Sequence, residues 1–438
     1  MKQKTGFSFF PLLSLLFLLG LGLVGCNEDS LTQGFDELSQ ADLAKAVPSG
    51  EFDETDLQKS GNAGALYLIS NAATGNEVIA FDRAADGSLS NQQSYATAGL
   101  GTGGGLGSQG AVVRYRQFLF VVNAGSNEIS SFRVNGQGLT LVDVEPSAGI
   151  MPISLTVHDD RLYVLNAGGT GNIAGFSLNH QGDLSFLPGS VQPLSTDAAG
   201  GAQVSFSPSG RFLIVTEKAT NAISIYPVDF SGLAGAPTTY PSVGDTPFGF
   251  DFGKRDRLIV SDAFGGAPNA SAMTSYQIEP DGSIDLITGP VATNQTAACW
   301  VVVTNDSRYT YTTNTGSANV TGYRITPSGA LQLLDASGVS GQTGAGPIDL
   351  SLSRNSQYLY ALSAGSDSIT AFAVNSDGSL THLDSAPTCS AGAARRWRGG
   401  VPRPSGLWPK VVPRVDGRPT FGMPVALHRH GERATRLR

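Results

Sequence analysis

The sequence predicts an all-β fold: a seven-bladed β-propeller of four-stranded antiparallel blades, closed by N- and C-terminal strands. Three observations carry this expectation. First, the chain repeats itself. An apolar residue stands three before an aromatic in VIAF, ISSF, IAGF, ISIY, MTSY, VTGY and ITAF, which end at Phe81, Phe132, Phe176, Tyr226, Tyr276, Tyr323 and Phe372. The aromatics lie 51, 44, 50, 50, 47 and 49 residues apart, and a period of this length outranks any local motif as evidence of architecture. Second, no segment between the ends sustains a helical apolar period, whereas short alternating runs are everywhere. Third, the runs are separated by Asp-Gly, Ser-Gly and similar hairpin turns.

Each repeat reads as four strands. In the last, PIDLSLS (347–353) alternates, RNSQ turns the chain, YLYALS (358–363) follows, and AGSD turns it again. SITAFAV (368–374) then leads through Asp377-Gly378 to SLTHLD. Sheets repeated radially around a channel leave few exposed edges. Repeat 1 departs from the pattern, because it begins directly with its second strand, ALYLIS (65–70). Its inner strand is expected from the C-terminus, where SAGAARRW (390–397) aligns by its Gly-Ala pair with GAVVRY (110–115) and GAQVSF (201–206). In that alignment Arg395 falls where Val113 and Val204 stand. An unpaired buried guanidinium costs several kcal/mol, so blade 1 is expected to close weakly from about Arg395 onward.

The ends are different in kind. Residues 1–26 combine two lysines, a long apolar run and Leu23-Val24-Gly25-Cys26, the pattern of a secretory signal excluded from the fold. The LVGC ending resembles a bacterial lipobox, which implies lipidation at Cys26 and a lipid-anchored place in the cell envelope, in the outer membrane or periplasm of a Gram-negative bacterium. Residues 27–62 are polar and acidic and read as a disordered tether. The propeller is expected over 63–394. Residues 395–438 hold ten Arg and one Lys against Asp416 and Glu432. They show no strand or helix period, and read as a disordered tail or the out-of-frame translation of a GC-rich gene end. The whole chain carries −8, with the excess of acid before this tail, which argues against nucleic acid.

One stretch invites a cofactor reading. GLGTGGGLGSQG (99–110) holds seven glycines, and Gly99, Gly101 and Gly104 match GxGxxG spacing. That fingerprint has meaning only between a strand and a helix, and here AVVRY and FLFVVN follow, which are strands. The stretch is the crossing from one blade to the next. Its glycines allow close backbone approach at the channel mouth, where their N–H groups could form an anion-binding nest. No organic cofactor is expected.

Loops that join outer to inner strands share a face with those joining second to third strands. Each second strand ends there in a short polar residue: Asn71, Asn123, Asn166, Glu217, Asp262, Asn314 and Ser363. Asn and Asp at strand ends begin turns by bonding their own backbone, which accounts for most of this ring. Glu217 is a poorer turn former, so it and Asp262 are the least explained and are the candidate catalytic pair. Two carboxylates facing a wet channel would support acid–base work or hold a hard cation such as calcium. Lys218 would set the charge of Glu217. The expected ligand contacts are Asn71, Asn123, Asn166, Asn314, Lys218, Gln109 and Trp300. The last two lie among the inner-strand candidates Gln109, Pro152, Gln203, Pro247, Trp300 and Asp349, and for Trp300 simple core packing is the competing reading. His158, His180 and His382 fall away from this face, and no GxSxG or HExxH occurs. Cys26, Cys299 and Cys389 offer no metal cluster or disulfide framework.

Repeats such as GPIDLSLSRNSQYLYALSAGSDSITAFAVNSDGSLTHL resemble the seven-bladed propeller lactonase family, which includes bacterial 6-phosphogluconolactonase and fungal carboxymuconate cyclase. GLGSQG, VVNAGSN, VTEKATN, PFGFDF and CWVVV look like a secreted branch of it. The resemblance covers about residues 64–390 and implies lactone hydrolysis. Better-studied members carry His-Pro-His and Arg-His segments on inner strands, where this chain reads MPIS (151–154) and TPFG (246–249). The alternative is a non-catalytic surface propeller that binds a small molecule or a protein partner on its top face. A monomer, tied to the membrane through its N-terminal lipid, is expected in either case.

Overall fold

Strand-forming repeats separated by tight turns build seven antiparallel sheets in sequence order, a seven-bladed β-propeller. The computed structural model describes residues 62–383. In blades 2–7 the strands run outward from the axis in chain order, and two of these blades add a short fifth strand. The inner strands are Val112–Tyr115, Ile150–His158, Gly201–Phe206, Pro247–Gly253, Ala298–Val303 and Pro347–Leu352. Blade 1 has three strands among the described residues, Asn62–Ile69, Glu77–Ala84 and Leu89–Ala96. It begins with the equivalent of a second strand, as the sequence predicts. The proposed closing strand at 390–397, the signal with Cys26, the tether and the basic tail lie outside the described residues.

The repeated aromatic is the centre of each blade. Phe81, Phe132, Phe176, Tyr226, Tyr276, Tyr323 and Phe372 all sit on third strands with at most 3% of their surface exposed. They enter seven apolar clusters, each shared by two neighbouring blades. A second device joins neighbours at the outer turns. Tyr163, Tyr311 and Tyr360 donate from second strands to Gly232 O, Gly378 O and Gly87 O in the next blade's hairpin, each at 2.8 or 2.7 Å. The last of these joins blade 7 to blade 1, with Tyr358 donating to Ala85 O at 2.7 Å beside it. Leu68, Ile79, Phe81, Tyr360 and Ile369 pack across the same seam. The ring is therefore closed between blades 7 and 1 through outer turns and apolar packing.

Register shifts mark the start of five inner strands, between Pro152/Ser154, Gly201/Gln203, Pro247/Phe250, Ala298/Val301 and Pro347/Asp349. Such bulges bend a strand and re-aim its side chains. Blade 2 has none, which corrects the sequence alignment by one residue. Val112 opposes Val121, two before Asn123, as Val204 opposes Val215, two before Glu217. Val112, not Val113, is the partner of Val204.

Candidate functional site: the axial mouth

The ring of polar residues at the ends of the second strands is built inward, not toward solvent. Asn123, Asn166, Glu217, Asp262, Asn314 and Ser363 have no exposed surface. In blade 2, Asn123 Nδ2 donates to Ser130 Oγ on the third strand at 2.7 Å. Its Oδ1 accepts from Thr97 Oγ1 at 2.7 Å and Asn76 Nδ2 at 3.0 Å. Asn166 donates to Ser147 O and Asn172 Oδ1, and Asn314 to Asn319 Oδ1 and Thr321 Oγ1. Each of these three asparagines is a latch between two strands of a blade, and Asn123 and Asn166 reach the crossing that leads into it as well; Ser363 Oγ is buried without a partner.

The two carboxylates occupy the same latch positions, which corrects the expectation that they face a wet channel. Glu217 accepts from Ser195 N at 3.1 Å, Thr220 Oγ1 at 2.9 Å and Ser224 Oγ at 2.8 Å, with Ser195 Oγ as a further donor. Its extra methylene reaches the blade 3–4 crossing. Asp262 accepts from Thr274 Oγ1 at 2.5 Å, while its Oδ1 is buried without a partner. Burial, with Asp245 adding to it, pushes the Asp262 carboxyl up to about 8. Among the described residues no cluster of three or more His, Cys, Asp or Glu gathers as a metal site.

Asn71 turns the opening glycines into a fixed loop. It has a left-handed φ of 47°, donates from Nδ2 to Thr102 Oγ1 and Gly104 O, and accepts from Thr102 N. Gly101 N and Gly103 N donate to Ala72 O and Asn71 O, so these amides are taken rather than presented to an anion. The expected close approach is real: a Cβ on Gly101 would lie 2.1 Å from Asn71 C, whereas one on Gly105 meets nothing within 4 Å. Gly101→Ala is therefore expected to cost about 1–3 kcal/mol, and Gly105→Ala to stay within about 0.5 kcal/mol. Urea titration of the two variants checks this, and equal effects would refute the loop contact.

Beyond Gly105 the chain does something the sequence does not announce: it crosses the axis. Gly107 O accepts from Lys218 Nζ at 2.6 Å in blade 4. Ser108 Oγ donates to Ile153 O at 2.8 Å in blade 3, and Ser108 O accepts from Trp300 Nε1 at 2.8 Å in blade 6. Gln109 grips Val301 of blade 6 with both ends of its amide, Nε2 to O at 2.7 Å and Oε1 from N at 2.9 Å. Its carboxamide sits against Gly249 of blade 5, where a Cβ would lie 2.3 Å from Oε1. A segment that touches the inner strands of four blades plugs the centre of the propeller.

Gln109 and Trp300, expected as ligand contacts, thus hold this plug. Trp300 is 5% exposed and lies 5.3 Å from the Phe248 ring. Lys218 does not pair with Glu217. Its nitrogen donates to Gly107 O and to Gly201 O at 3.2 Å, and lies 4.7 Å from the Phe248 ring centroid. Desolvation there lowers the Lys218 pKa to about 8. The thiol of Cys299, buried between Ala297 O and Thr315 Oγ1, is pushed up to about 11 by burial. Lys218, Phe248 and Cys299 are the surroundings of the mouth. Phe248 and Cys299 had no signal in the sequence beyond their place on inner strands.

Comparison with known proteins agrees with the propeller fold. Residues 58–193, ending with blade 3, match the family model "Lactonase, 7-bladed beta-propeller". No protein with a curated description matches the chain by sequence. Among solved structures, the periplasmic gluconolactonase of Pseudomonas aeruginosa superposes with a TM-score of 0.58 at 16% identity, covering 73% of this chain and 96% of that one. A Bacteroides uniformis protein with a provisional 6-phosphogluconolactonase name gives 0.56 at 17% identity over 71% and 94%. Hydrazine synthase of Kuenenia stuttgartiensis gives 0.50 at 14% over 70% and 94%, and identities this low speak to fold alone. The chain is a seven-bladed propeller whose first three blades carry the sequence pattern of the lactonase propellers.

Proposed function

We propose that the axial mouth hydrolyses a lactone, with the neutral amine of Lys218 activating the attacking water. The setting of that one nitrogen is the observation that supports this. A neutral amine has two N–H groups and one lone pair, and two carbonyls, Gly107 O and Gly201 O, stand ready for the two N–H groups. With a pKa brought to about 8, the base form is accessible in mildly alkaline water, where a general base works best. The lone pair takes a proton as the water oxygen bonds to the lactone carbonyl carbon. The tetrahedral oxyanion then collapses, the ring C–O bond breaks, and the ammonium returns its proton to the departing alkoxide. The product is an open-chain hydroxy acid.

The lactonase pattern over blades 1–3 and the gluconolactonase name of one structural neighbour support the substrate class. In this reading Glu217 latches blade 4 to the crossing that leads into it, Asp262 latches two strands of blade 5, and water activation passes to Lys218. Purified protein offered sugar and aromatic lactones is expected to open one of them, as followed by acid release. Lys218→Met is expected to lose at least about 100-fold in rate. A lactone that raises the melting temperature without being opened would favour the alternative, a binding propeller.

The location belongs to the same proposal. The LVGC sequence supports lipid anchoring at Cys26 in the cell envelope. Fatty-acid labelling of the native protein and soluble export of Cys26→Ser are the expected results, and unchanged membrane retention of that variant would contradict them.

A further inference from the structure

Charge is sorted between the two ends of the propeller. The mouth lies at the end where second strands turn into third strands. The opposite end holds the junctions of inner with second strands and of third with outer strands. Of the thirteen Lys and Arg among residues 62–383, twelve stand at or beside that opposite end. The thirteenth is Lys218. Each of the six described junctions of inner and second strands carries an arginine: Arg116, Arg161, Arg211, Arg255, Arg308 and Arg354. With Lys254 and Arg257, these junctions hold eight cations against Asp159, Asp160, Asp256 and Asp306.

The mouth end has the reverse balance. Glu77, Glu128, Asp197, Asp245 and Asp367 keep exposed surface there, against Lys218 alone. This separation gives the molecule an electric moment along its axis, so an anionic plane attracts the end opposite the mouth and repels the mouth itself. Other acids of the cationic end lie farther from the axis, in hairpins of third and outer strands. Asp86, Asp229, Asp281 and Asp377 each accept there from the serine two residues on, at 2.6 or 2.7 Å. The positive centre is therefore axial and the rim mixed.

Two further observations fall at the same end. Phe230, at the tip of the blade 4 hairpin between Ala222–Pro227 and Thr238–Pro241, is fully exposed. The next residue fixes this tip, since Ser231 O accepts from Arg161 Nε at 3.2 Å and Nη2 at 3.1 Å. Asn62, the first described residue, opposes Ala84 at this end, so the chain that follows Cys26 joins the propeller there.

We propose that the end opposite the mouth docks on an anionic lipid surface, with the junction arginines at the lipid phosphates and Phe230 among the headgroups. A soluble polyanion would satisfy the arginines but gives an exposed aromatic tip no place, whereas aromatic side chains favour the membrane–water interface. The mouth then opens away from the membrane. The docking needs neither the chemistry of Lys218 nor a lipid on Cys26, although one signal reinforces the other.

The test uses the full chain with Cys26→Ser and Cys389→Ser, which leaves buried Cys299 as the one remaining thiol. An environment-sensitive fluorophore is placed on Ser209→Cys, exposed in the blade 4 junction, or on Thr170→Cys, exposed at the mouth end. Vesicles of phosphatidylcholine mixed with phosphatidylglycerol are expected to shift the emission at Ser209→Cys and leave Thr170→Cys unchanged. Pure phosphatidylcholine leaves both unchanged. Arg211→Ser with Lys254→Ser is expected to weaken binding at least about tenfold. Thr170→Glu with Ala267→Glu makes the same change of net charge at the mouth end, beyond the screening length, and is expected to alter binding less than about twofold. No binding overturns the proposal. Binding that leaves the Ser209→Cys probe silent, as when the basic tail alone holds the vesicle, overturns it too. A Ser209→Cys response to heparin with none to vesicles assigns the face to a soluble polyanion and overturns the lipid reading.

Discussion

Trp300→Ala loses about 3–5 kcal/mol of stability, the usual cost of deleting a large buried aromatic. Three contacts go together in this variant. The indole leaves a cluster that includes Cys299, Val302, Tyr311 and Leu350, its contact with Phe248 is lost, and Ser108 O loses its donor. An orphaned buried acceptor adds to the cavity cost. Trp300→Phe separates the terms, because it keeps a ring but cannot donate, and is expected to cost about 1–2 kcal/mol. If Trp300→Phe unfolds in urea at the same midpoint as the parent, the tie between Trp300 and the axial segment is not holding the plug.

Stability falls as pH rises from about 4 to 8, and Asp262→Asn removes the slope between about 7 and 8 and lessens it below that. The sign follows from proton linkage. The folded-state pKa of Asp262 is raised to about 8 by burial from an ordinary value of 3.8, so between those values the folded protein binds the extra proton. Stability then declines with pH at about 1.4 kcal/mol per unit for one such group, and is level above about 8. Asp349, raised to about 7, and Asp251, raised to about 6, act in the same direction over shorter windows. At pH 8 the ionised Asp262 is a buried charge facing Thr274, Tyr276, Tyr323 and Asp245. Asparagine removes it and can donate to Thr274, as Asn314 does to Thr321. Asp262→Asn is therefore expected to be more stable than the parent at pH 8 and close to it at pH 4. Parallel curves for the two proteins would refute the buried-carboxyl account.

The sequence made the scaffold legible because each blade solves one packing problem the same way. The seven aromatics that mark the period are the buried centres of the third strands, and YLYALS and SITAFAV match the strands Tyr358–Ser363 and Ser368–Val374. The polar ring was legible as positions but not as contacts. Whether Glu217 meets water or Ser195, 22 residues away, depends on how blade 3 hands over to blade 4. Gln109 was harder still. Its partner Val301 is 192 residues distant, and no local pattern encodes a contact made across the axis. The bulges hide for a related reason, since one extra residue changes register without changing the apolar alternation that reveals a strand.

In the proposed lactone opening, Lys218 at the axial mouth is the base. The most direct test is the pH dependence of lactone opening by the parent protein and by Lys218→Arg, after subtraction of uncatalysed hydrolysis. Arginine keeps a cation for Gly107 O, Gly201 O and the Phe248 ring, but it stays protonated and cannot accept a proton. The parent rate is expected to climb with a midpoint near pH 8, while Lys218→Arg stays folded, flat with pH and at least about 100-fold slower. A Lys218→Arg variant that keeps the parent's rate and its pH profile would rule out Lys218 as the base.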